Sequence, residues 1–363
     1  MKITSGEILF AVFGVFLALS SDAQPVITNQ PINQTVVSGG NATFSVMVTG
    51  IGPFTYQWRL NGSTLPNNII TTAAGNGSAT FAGDGGVATK ASLNGPPGVA
   101  FNNSGSLYIA DSSNNRIRKL DANGIITTVA GDGSGIFAGD GGIATNASLS
   151  NPSGVACDTG GNFFIADTGN FRIRKVDTNG TITTVAGNGI ADYTGDGGAA
   201  TNASLNSPSG VAIDAGGSLY FADSQENCVR KVATNGIITT VAGGGNPSGD
   251  YEGGPYASNN AALYSPNGLA FDACGNLYIS DQGNNRIRKV ATNGLISTIA
   301  GIGAGGDVAS GDGGAATNAS INYPSGLAFD SVGNLYIAAD YNNNDVRRVD
   351  TNGIISTVAG AGN

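Results

Sequence analysis

Short segments with alternating hydrophobic residues recur along most of the chain, and Gly, Asn and Asp separate them. One stretch contains four such segments, which are Gly98–Phe101, Leu107–Ala110, Arg116–Leu120 and Ile125–Ala130. A hydrophobic period of two, with β-branched and aromatic residues between turn residues, predicts β-strands. Four short antiparallel strands with tight turns and one longer connection predict a blade of a β-propeller.

The same pattern returns at a fixed period. It starts at Gly83, Gly139, Gly195 and Gly311, with a looser copy near Glu252. A spacing of 56 residues separates Asp84 from Asp140 and Asp140 from Asp196, and insertions lengthen the later copies. A single blade exposes apolar side chains on both faces, so it is stable only between neighbouring blades. The pattern therefore predicts an all-β ring of similar blades.

Five segments carry a family resemblance. LYIADSSNNRIRKL, FFIADTGNFRIRKV, LYFADSQENCVRKV, LYISDQGNNRIRKV and LYIAADYNNNDVRRV resemble NHL repeats, and the resemblance spans residues 75–362. NHL repeats form propellers of four-stranded blades, usually six. The chain holds five full units and an additional copy of the last strand, IITTAA, from Ile69 to Ala74. We expect an NHL-type β-propeller with six blades.

The segment before the repeats, residues 24–68, resembles the first half of a bacterial immunoglobulin-like domain, with Trp58 as its core tryptophan. It has no cysteine pair, and an immunoglobulin sandwich needs about 100 residues. Two interpretations are open. The segment is a truncated relic, or its strands near Ile27, Phe44, Tyr56 and Ile70 form the sixth blade, which we favour. Residues 69–363 form the propeller.

The N-terminus carries an apolar run from Ile8 to Leu19, followed by small residues at Ser21 and Ala23. Twelve apolar residues are too few for the ~20 that span a bilayer, and the small residues suit signal peptidase. We expect residues 1–23 to be a cleaved signal peptide. The mature protein is expected to be secreted or periplasmic, of bacterial type, without membrane insertion.

Composition narrows the chemistry. The chain has 363 residues, 58 of them Gly, and a formal net charge of −9, which disfavours nucleic acid as a partner. It has no His, so neither a Ser-His nucleophile pair nor a His-ligated zinc site is available. Three Cys do not make a disulfide framework.

Each repeat carries an Asp after the second strand and an Arg in the third strand. The aspartates are Asp111, Asp167, Asp223, Asp281 and Asp340, and the arginines are Arg118, Arg174, Arg230, Arg288 and Arg347. Because catalysis needs an asymmetric constellation, we interpret this set as structural ion pairs and turn caps.

A GDGG element opens the repeats, with Asp84, Asp140, Asp196 and Asp312, and Glu252 in the looser copy. Glycine on both sides of an Asp is typical of a tight turn. Calcium is the alternative, since hard cations prefer carboxylate and carbonyl oxygens. We expect no obligatory cofactor, with calcium as the possible exception and the metal question open.

The next segment, ATKASL in the first copy, ends in a Leu or Ile before a Pro and predicts one helical turn that inserts its apolar side chain at a blade end. This connection and the turn after the second strand share one face of the ring, here called the loop face. Copies four and five vary most, and their candidate ligand-binding residues are Tyr251, Glu252, Tyr256, Tyr264, Tyr323 and Tyr341.

The sequence therefore favours a secreted binding scaffold that holds a protein, peptide or glycan on its loop face. The alternative is a metal-dependent lactonase-like hydrolase of the gluconolactonase-like propeller group, in which Glu, Asn and Asp oxygens would hold a metal in the central channel. The few Glu residues disfavour this alternative, and no catalytic residues are assigned.

Overall fold

A computed structural model describes residues 26–29, 47–49, 59–60, 63–64, 70–244, 256–303, 310–340 and 344–360. The chain divides into two compact units, residues 1–70 and 71–363. The candidate signal peptide, Trp58, Tyr251, Glu252 and Tyr341 lie outside the described residues. Within those ranges no helix is long and apolar enough to cross a membrane.

The second unit contains five antiparallel sheets, one per repeat, and each has its four main strands in chain order from the axis outwards. The inner strands are Gly98–Phe101, Val155–Cys157, Pro208–Ile213, Pro266–Phe271 and Pro324–Phe329. The second strands are Leu107–Asp111, Phe163–Asp167, Leu219–Asp223, Leu277–Asp281 and Leu335–Ala339.

The third strands are Arg116–Leu120, Arg172–Val176, Cys228–Val232, Arg286–Val290 and Asp345–Val349. The outer strands are Ile125–Ala130, Ile182–Ala186, Ile238–Gly243, Leu295–Ala300 and Ile355–Ala359. Two short strands, Gly86–Val87 and Tyr256–Ala257, extend the outer edges of blades 1 and 4.

Alternation along each strand gives a blade two apolar faces. In blade 1, Tyr108, Ala110 and Ile117 face blade 2 and pack with its Phe163 and Ile165. Aromatic pairs recur at the later interfaces, where Tyr220 meets Phe271 and Tyr278 meets Phe329 edge to face, with centroids 5.0 and 4.8 Å apart. Adjacent blades thus bury what one blade alone would expose.

Glycine in the inner strands lets consecutive blades approach closely. A Cβ on Gly210 would lie 2.1 Å from the carbonyl oxygen of Asn267 in the next blade. Gly154 and Gly268 make the same approach to Ser209 and Ser325. The side chain is missing at these positions because the next backbone occupies its space.

The predicted helical turns are confirmed as short 3₁₀ turns. They are Ala88–Lys90, Ala144–Asn146, Ala200–Asn202, Ser258–Asn260 and Ala316–Asn318. The apolar residue that follows, such as Leu149 or Leu205, is fully buried between blades. Further 3₁₀ turns join the second and third strands at Ser112–Asn114, Thr168–Asn170, Ser224–Glu226 and Gln282–Asn284.

The expectation of six blades is wrong, because the described residues form five four-stranded blades. An immunoglobulin-like segment is not identified either. Val26–Asn29 pairs with Met47–Thr49, and Arg59–Leu60 pairs with Ser63–Thr64, which makes two separate two-stranded ladders. Ile70 is exposed and lies outside any strand, while Phe44 and Tyr56 are outside the described residues. Among the described residues of this segment, the two ladders do not join into a four-stranded sheet.

Candidate interaction surface

In blades 1 to 4, a buried Asp at the end of the second strand organises the loop face. Asp111 accepts a hydrogen bond from the backbone N–H of Asn94 at 2.7 Å, and the Asn114 side chain donates to both of its oxygens. The same contact is made by Asp167 with Ser150 and by Asp281 with Tyr264. The carboxylate therefore ties the turn after the second strand to the connection that precedes the inner strand.

A buried Arg lies next to this Asp. We call the Asp, the Arg and the groups bonded to them the hub of the blade. Arg118 lies 3.2 Å from Asp111 and 2.6 Å from Asp84, and Arg174 bridges Asp167 and Asp140 in the same way. These guanidinium groups are fully buried. In blade 4, Arg288 lies 3.3 Å from Asp281. The Asp of the GDGG turn thus supplies a second, partly exposed carboxylate to the same cation.

Burial raises the pKa of three of these carboxyl groups. Desolvation raises the pKa of Asp167 and of Asp281, and it outweighs their hydrogen bonds and the nearby Arg. Desolvation raises the pKa of Asp223 to about 7, although the Asn206 N–H and Arg230 act in the opposite direction. Glu226 adds a like charge there, in place of the Asn that donates to the hub in blades 1, 2 and 4.

Blade 5 departs from the expected hub. Ala339, not Asp340, holds the register position of Asp111, because the doubled alanine shifts the strand end by one residue. Asp340 is exposed and lines a cavity that the inner strands of the five blades surround, here called the axial cavity. Arg347 pairs instead with Asp312 at 2.6 Å, and the nearby buried carboxyl is Asp345.

The GDGG aspartates also serve the outer strand. Besides their ion pairs with Arg, Asp140, Asp196 and Asp312 accept backbone N–H bonds from Thr184, Thr240 and Thr357 in the outer strands. Within the described part of the chain no group of three His, Cys, Asp or Glu side chains could hold a metal. Calcium at these turns stays a hypothesis.

Sequence reasoning missed an aromatic residue that stacks on arginines of the third strand. The Phe81 ring lies 3.8 Å from the Arg116 guanidinium and 4.9 Å from that of Arg118. Phe137 stacks on Arg172, and Tyr193 on Arg230. An aromatic three residues before the GDGG Asp recurs in the first three copies, and this was the available signal.

Left-handed residues make the loop face rigid. The residue directly before the Pro that leads into each inner strand has a positive φ, from 44° to 60°; these residues are Gly95, Asn151, Ser207, Ser265 and Tyr323. The Asn that precedes the third strand of the preceding blade fixes the backbone of three of these residues. Asn115, Asn227 and Asn285 accept the backbone N–H of Asn151, Ser265 and Tyr323 at 2.8 to 2.9 Å.

Two of the predicted ligand residues protrude from this frame. Tyr264 is 54% exposed and lies against Gly283, and Tyr323 is 43% exposed in the next blade. The equivalent positions in blades 1 to 3 carry Asn, Ser or Gly. The backbone of Tyr256 lies in the short strand on the outer edge of blade 4, and Tyr251, Glu252 and Tyr341 lie outside the described residues. At the two residues before the Pro of the inner strand, aromatic side chains therefore occur only in blades 4 and 5 of the described part of the chain.

The repeat assignment agrees with a known family. The profile of the teneurin NHL domain matches residues 73–137, 132–191, 189–249 and 304–363. This chain belongs to the teneurin NHL domain family. Human teneurin-4 is 32% identical over 272 residues, which is 65% of this chain and 10% of teneurin-4. The NHL chain described here therefore spans about a tenth of the length of the teneurins that it matches.

Two further proteins are similar to this chain, one in sequence and one in fold alone. Human NHL repeat-containing protein 2 is 28% identical over 298 residues, which cover 73% of this chain and 40% of that protein. A structural genomics protein of unknown function from Bacteroides thetaiotaomicron superposes with a TM-score of 0.58 at 17% identity, covering 93% of this chain and 79% of the other. At that identity the likeness concerns the fold alone.

Proposed function

We propose that this NHL propeller is an extracytoplasmic interaction scaffold that binds a peptide segment of a partner protein on the loop face of blades 4 and 5. The observation that carries the proposal is the exposure of Tyr264 and Tyr323 on a frame fixed by buried hubs. Tyrosine offers a large contact area and a polar end at a low entropic cost. Membership of the NHL family fits a scaffold.

The hub geometry supports binding without an induced rearrangement. Tyr264 donates its backbone N–H to Asp281, and Tyr323 donates its own to Asn285. Both tyrosine backbones are therefore held before a ligand arrives. A surface prepared in this way loses less conformational entropy on binding than a mobile loop. The lactonase alternative gains no support from the described residues, which bring no metal-holding cluster together.

The test is a peptide selection followed by titration. A random peptide library is selected on the immobilised full chain, and the best binder is titrated against Tyr264→Ala, Tyr323→Ala and the double variant. We expect a loss of at least about tenfold in affinity for the double variant, as for aromatic contacts at the centre of an interface. Ser150→Ala, at the equivalent position of blade 2, is the matched control and should bind normally.

Two results would contradict the proposal. One is the selection of peptides that bind the double tyrosine variant as tightly as they bind the parent protein. The other is failure of the selection together with tyrosine-dependent binding on a glycan array, which would keep the site and replace the peptide with a sugar as ligand.

A further inference from the structure

On the side away from blade 2, blade 1 has no neighbouring blade among the residues that the structure describes. Val99 is 61% exposed and Phe101 is 68% exposed, while the equivalent Val155 and Val211 are 5% and 9% exposed between blades. The inner strand of blade 1 therefore exposes the apolar pair that every later blade packs, buried or half-buried, against its predecessor.

The face of blade 5 that points away from blade 4 is also uncovered by the described blades. Val346 is only half-buried, although the equivalent Ile173 and Ile287 are fully buried. A Cβ on Gly326 would meet only the Ala338 side chain, at 3.7 Å, whereas a Cβ on Gly268 would lie 2.0 Å from the Ser325 carbonyl. The ring is thus open between blade 5 and blade 1, and we call this opening the cleft.

The two walls of the cleft are halves of a known interface. Tyr336 holds the position of Tyr220 and Tyr278, whose rings pack on Phe271 and Phe329. Phe101 holds the position of those two phenylalanines. Neither Tyr336 nor Phe101 has a ring partner among the described residues. Each wall is therefore shaped for the other half of a blade interface.

A polar group in the cleft indicates that its occupant is a polypeptide. Asn344 precedes the third strand of blade 5 with φ of 46°, as Asn115, Asn227 and Asn285 precede theirs. Those three side chains accept a backbone N–H from the following blade. The exposed carboxamide of Asn344 accepts none from the part of the chain that the structure describes. A backbone N–H is the donor that this position uses elsewhere in the ring.

A cavity extends the cleft towards the loop face. It measures about 490 Å³ and is lined by Thr72, Ala74, Asn76, Leu93 and Pro96 among others. Pro96 also lines the axial cavity of about 570 Å³, which reaches Tyr336, Ala338 and Val346. The two cavities therefore adjoin at Pro96.

We propose that the cleft binds one extended strand of a partner polypeptide with an aliphatic residue and, two residues later, an aromatic one. The inner strands that cover blades 3 and 4 carry this pattern as Leu269 with Phe271 and Leu327 with Phe329. Such a strand would place its aromatic ring against Tyr336 and donate a backbone N–H to Asn344. This surface is separate from the loop-face tyrosines, so either proposal can fail alone.

The probe is a fluorescent peptide, NYPSGLAFD, which copies residues 322–330 of the chain. Its anisotropy is followed while the full-length protein is titrated. We expect saturable binding that disappears when serine replaces the leucine and phenylalanine of the peptide. Ala328→Glu, at an exposed position of the cleft wall, should weaken binding at least about tenfold by placing a charge in an apolar contact.

Two further variants make the test specific. Asn344→Ala should weaken binding without unfolding the protein, because the side chain is exposed, and it serves as the readout should Ala328→Glu not fold. Tyr264→Ala, on the loop face, should leave binding unchanged. The proposal is overturned by absence of saturation at about 1 mM protein or by equal binding of the serine peptide. Sedimentation that shows a dimer abolished by Ala328→Glu would overturn it as well, because a second copy would then occupy the cleft.

Discussion

A single substitution makes the hub of blade 3 electrostatically different from its equivalents. Glu226 stands where Asn114, Asn170 and Asn284 donate to the buried Asp, and it accepts a bond from Asn206 instead. Asp223 Oδ2 has no hydrogen bond and lies 3.7 Å from Arg230. An incompletely satisfied buried carboxylate destabilises the fold when it is charged.

The stability of blade 3 should consequently depend on pH near neutrality. The pKa of Asp223 is about 7 in the folded protein, above its ordinary 3.8. Its contribution to stability is fully present below pH 3.8 and is lost as the pH rises through about 7. We predict that Glu226→Asn raises the melting temperature more at pH 8 than at pH 5. The restored hydrogen bond should add about 1 kcal/mol to the free energy of unfolding at pH 8.

The matched control for this experiment is Gln225→Asn, an exposed change in the same turn. It should leave the melting temperature unchanged at both pH values. An equal gain for Glu226→Asn at pH 5 and pH 8 would show that Asp223 does not titrate in this range.

The blade as an element depends on its buried Arg. Arg174 bridges Asp167 and Asp140, and its guanidinium is fully buried. Removal of the Arg174 side chain leaves the fully buried Asp167 without its cation. Asp140 loses less, because it is partly exposed and keeps contact with water. Arg174→Ala should therefore destabilise the protein by about 3 to 5 kcal/mol, as for one partner of a buried ion pair.

Denaturant unfolding measures this loss. Lys175→Ala, at the next and partly exposed position, should cost less than about 0.5 kcal/mol. Similar losses for the two variants would mean that the guanidinium contributes no more than a surface charge.

Strands and turns could be predicted from sequence because their signals are local. Alternation, Gly turns and the aspartate after each second strand located most of the blade strands. Asp340 was misassigned because the pattern aligned it with Asp111, whereas the strand register places Ala339 there. A one-residue shift exchanges the faces of a strand, and only pairing with the neighbouring strand reveals it.

At the scale of the whole molecule, the number of blades could not be predicted in the same way. Closure depends on contact between the first and the last blade, and these contacts are the most distant in sequence. Val99 and Phe101 match the sequence pattern of the packed pairs in other repeats, yet they are exposed. Tyr264 and Tyr323 were singled out because they replace small residues at the two positions before the Pro of the inner strand, and their role in binding stays a prediction. The cleft was missed because repetition suggested a complete ring.

The open ring of five blades is the central claim, and two glycine substitutions test it most directly. Gly268 and Gly326 hold the same inner-strand position in blades 4 and 5. Only Gly268 is pressed against the backbone of a following blade. We predict that Gly268→Ala destabilises the protein by about 1 to 3 kcal/mol or more through overpacking.

Gly326→Ala should leave stability unchanged or slightly increase it, since its Cβ would make only an ordinary van der Waals contact with Ala338 and alanine reduces the entropy of the unfolded chain. The measurement is equilibrium denaturant unfolding of both variants and the parent protein under one set of conditions. A large loss for Gly268→Ala with none for Gly326→Ala is the expected result. Equal losses would mean that blade 5 packs against blade 1 and that the ring is closed.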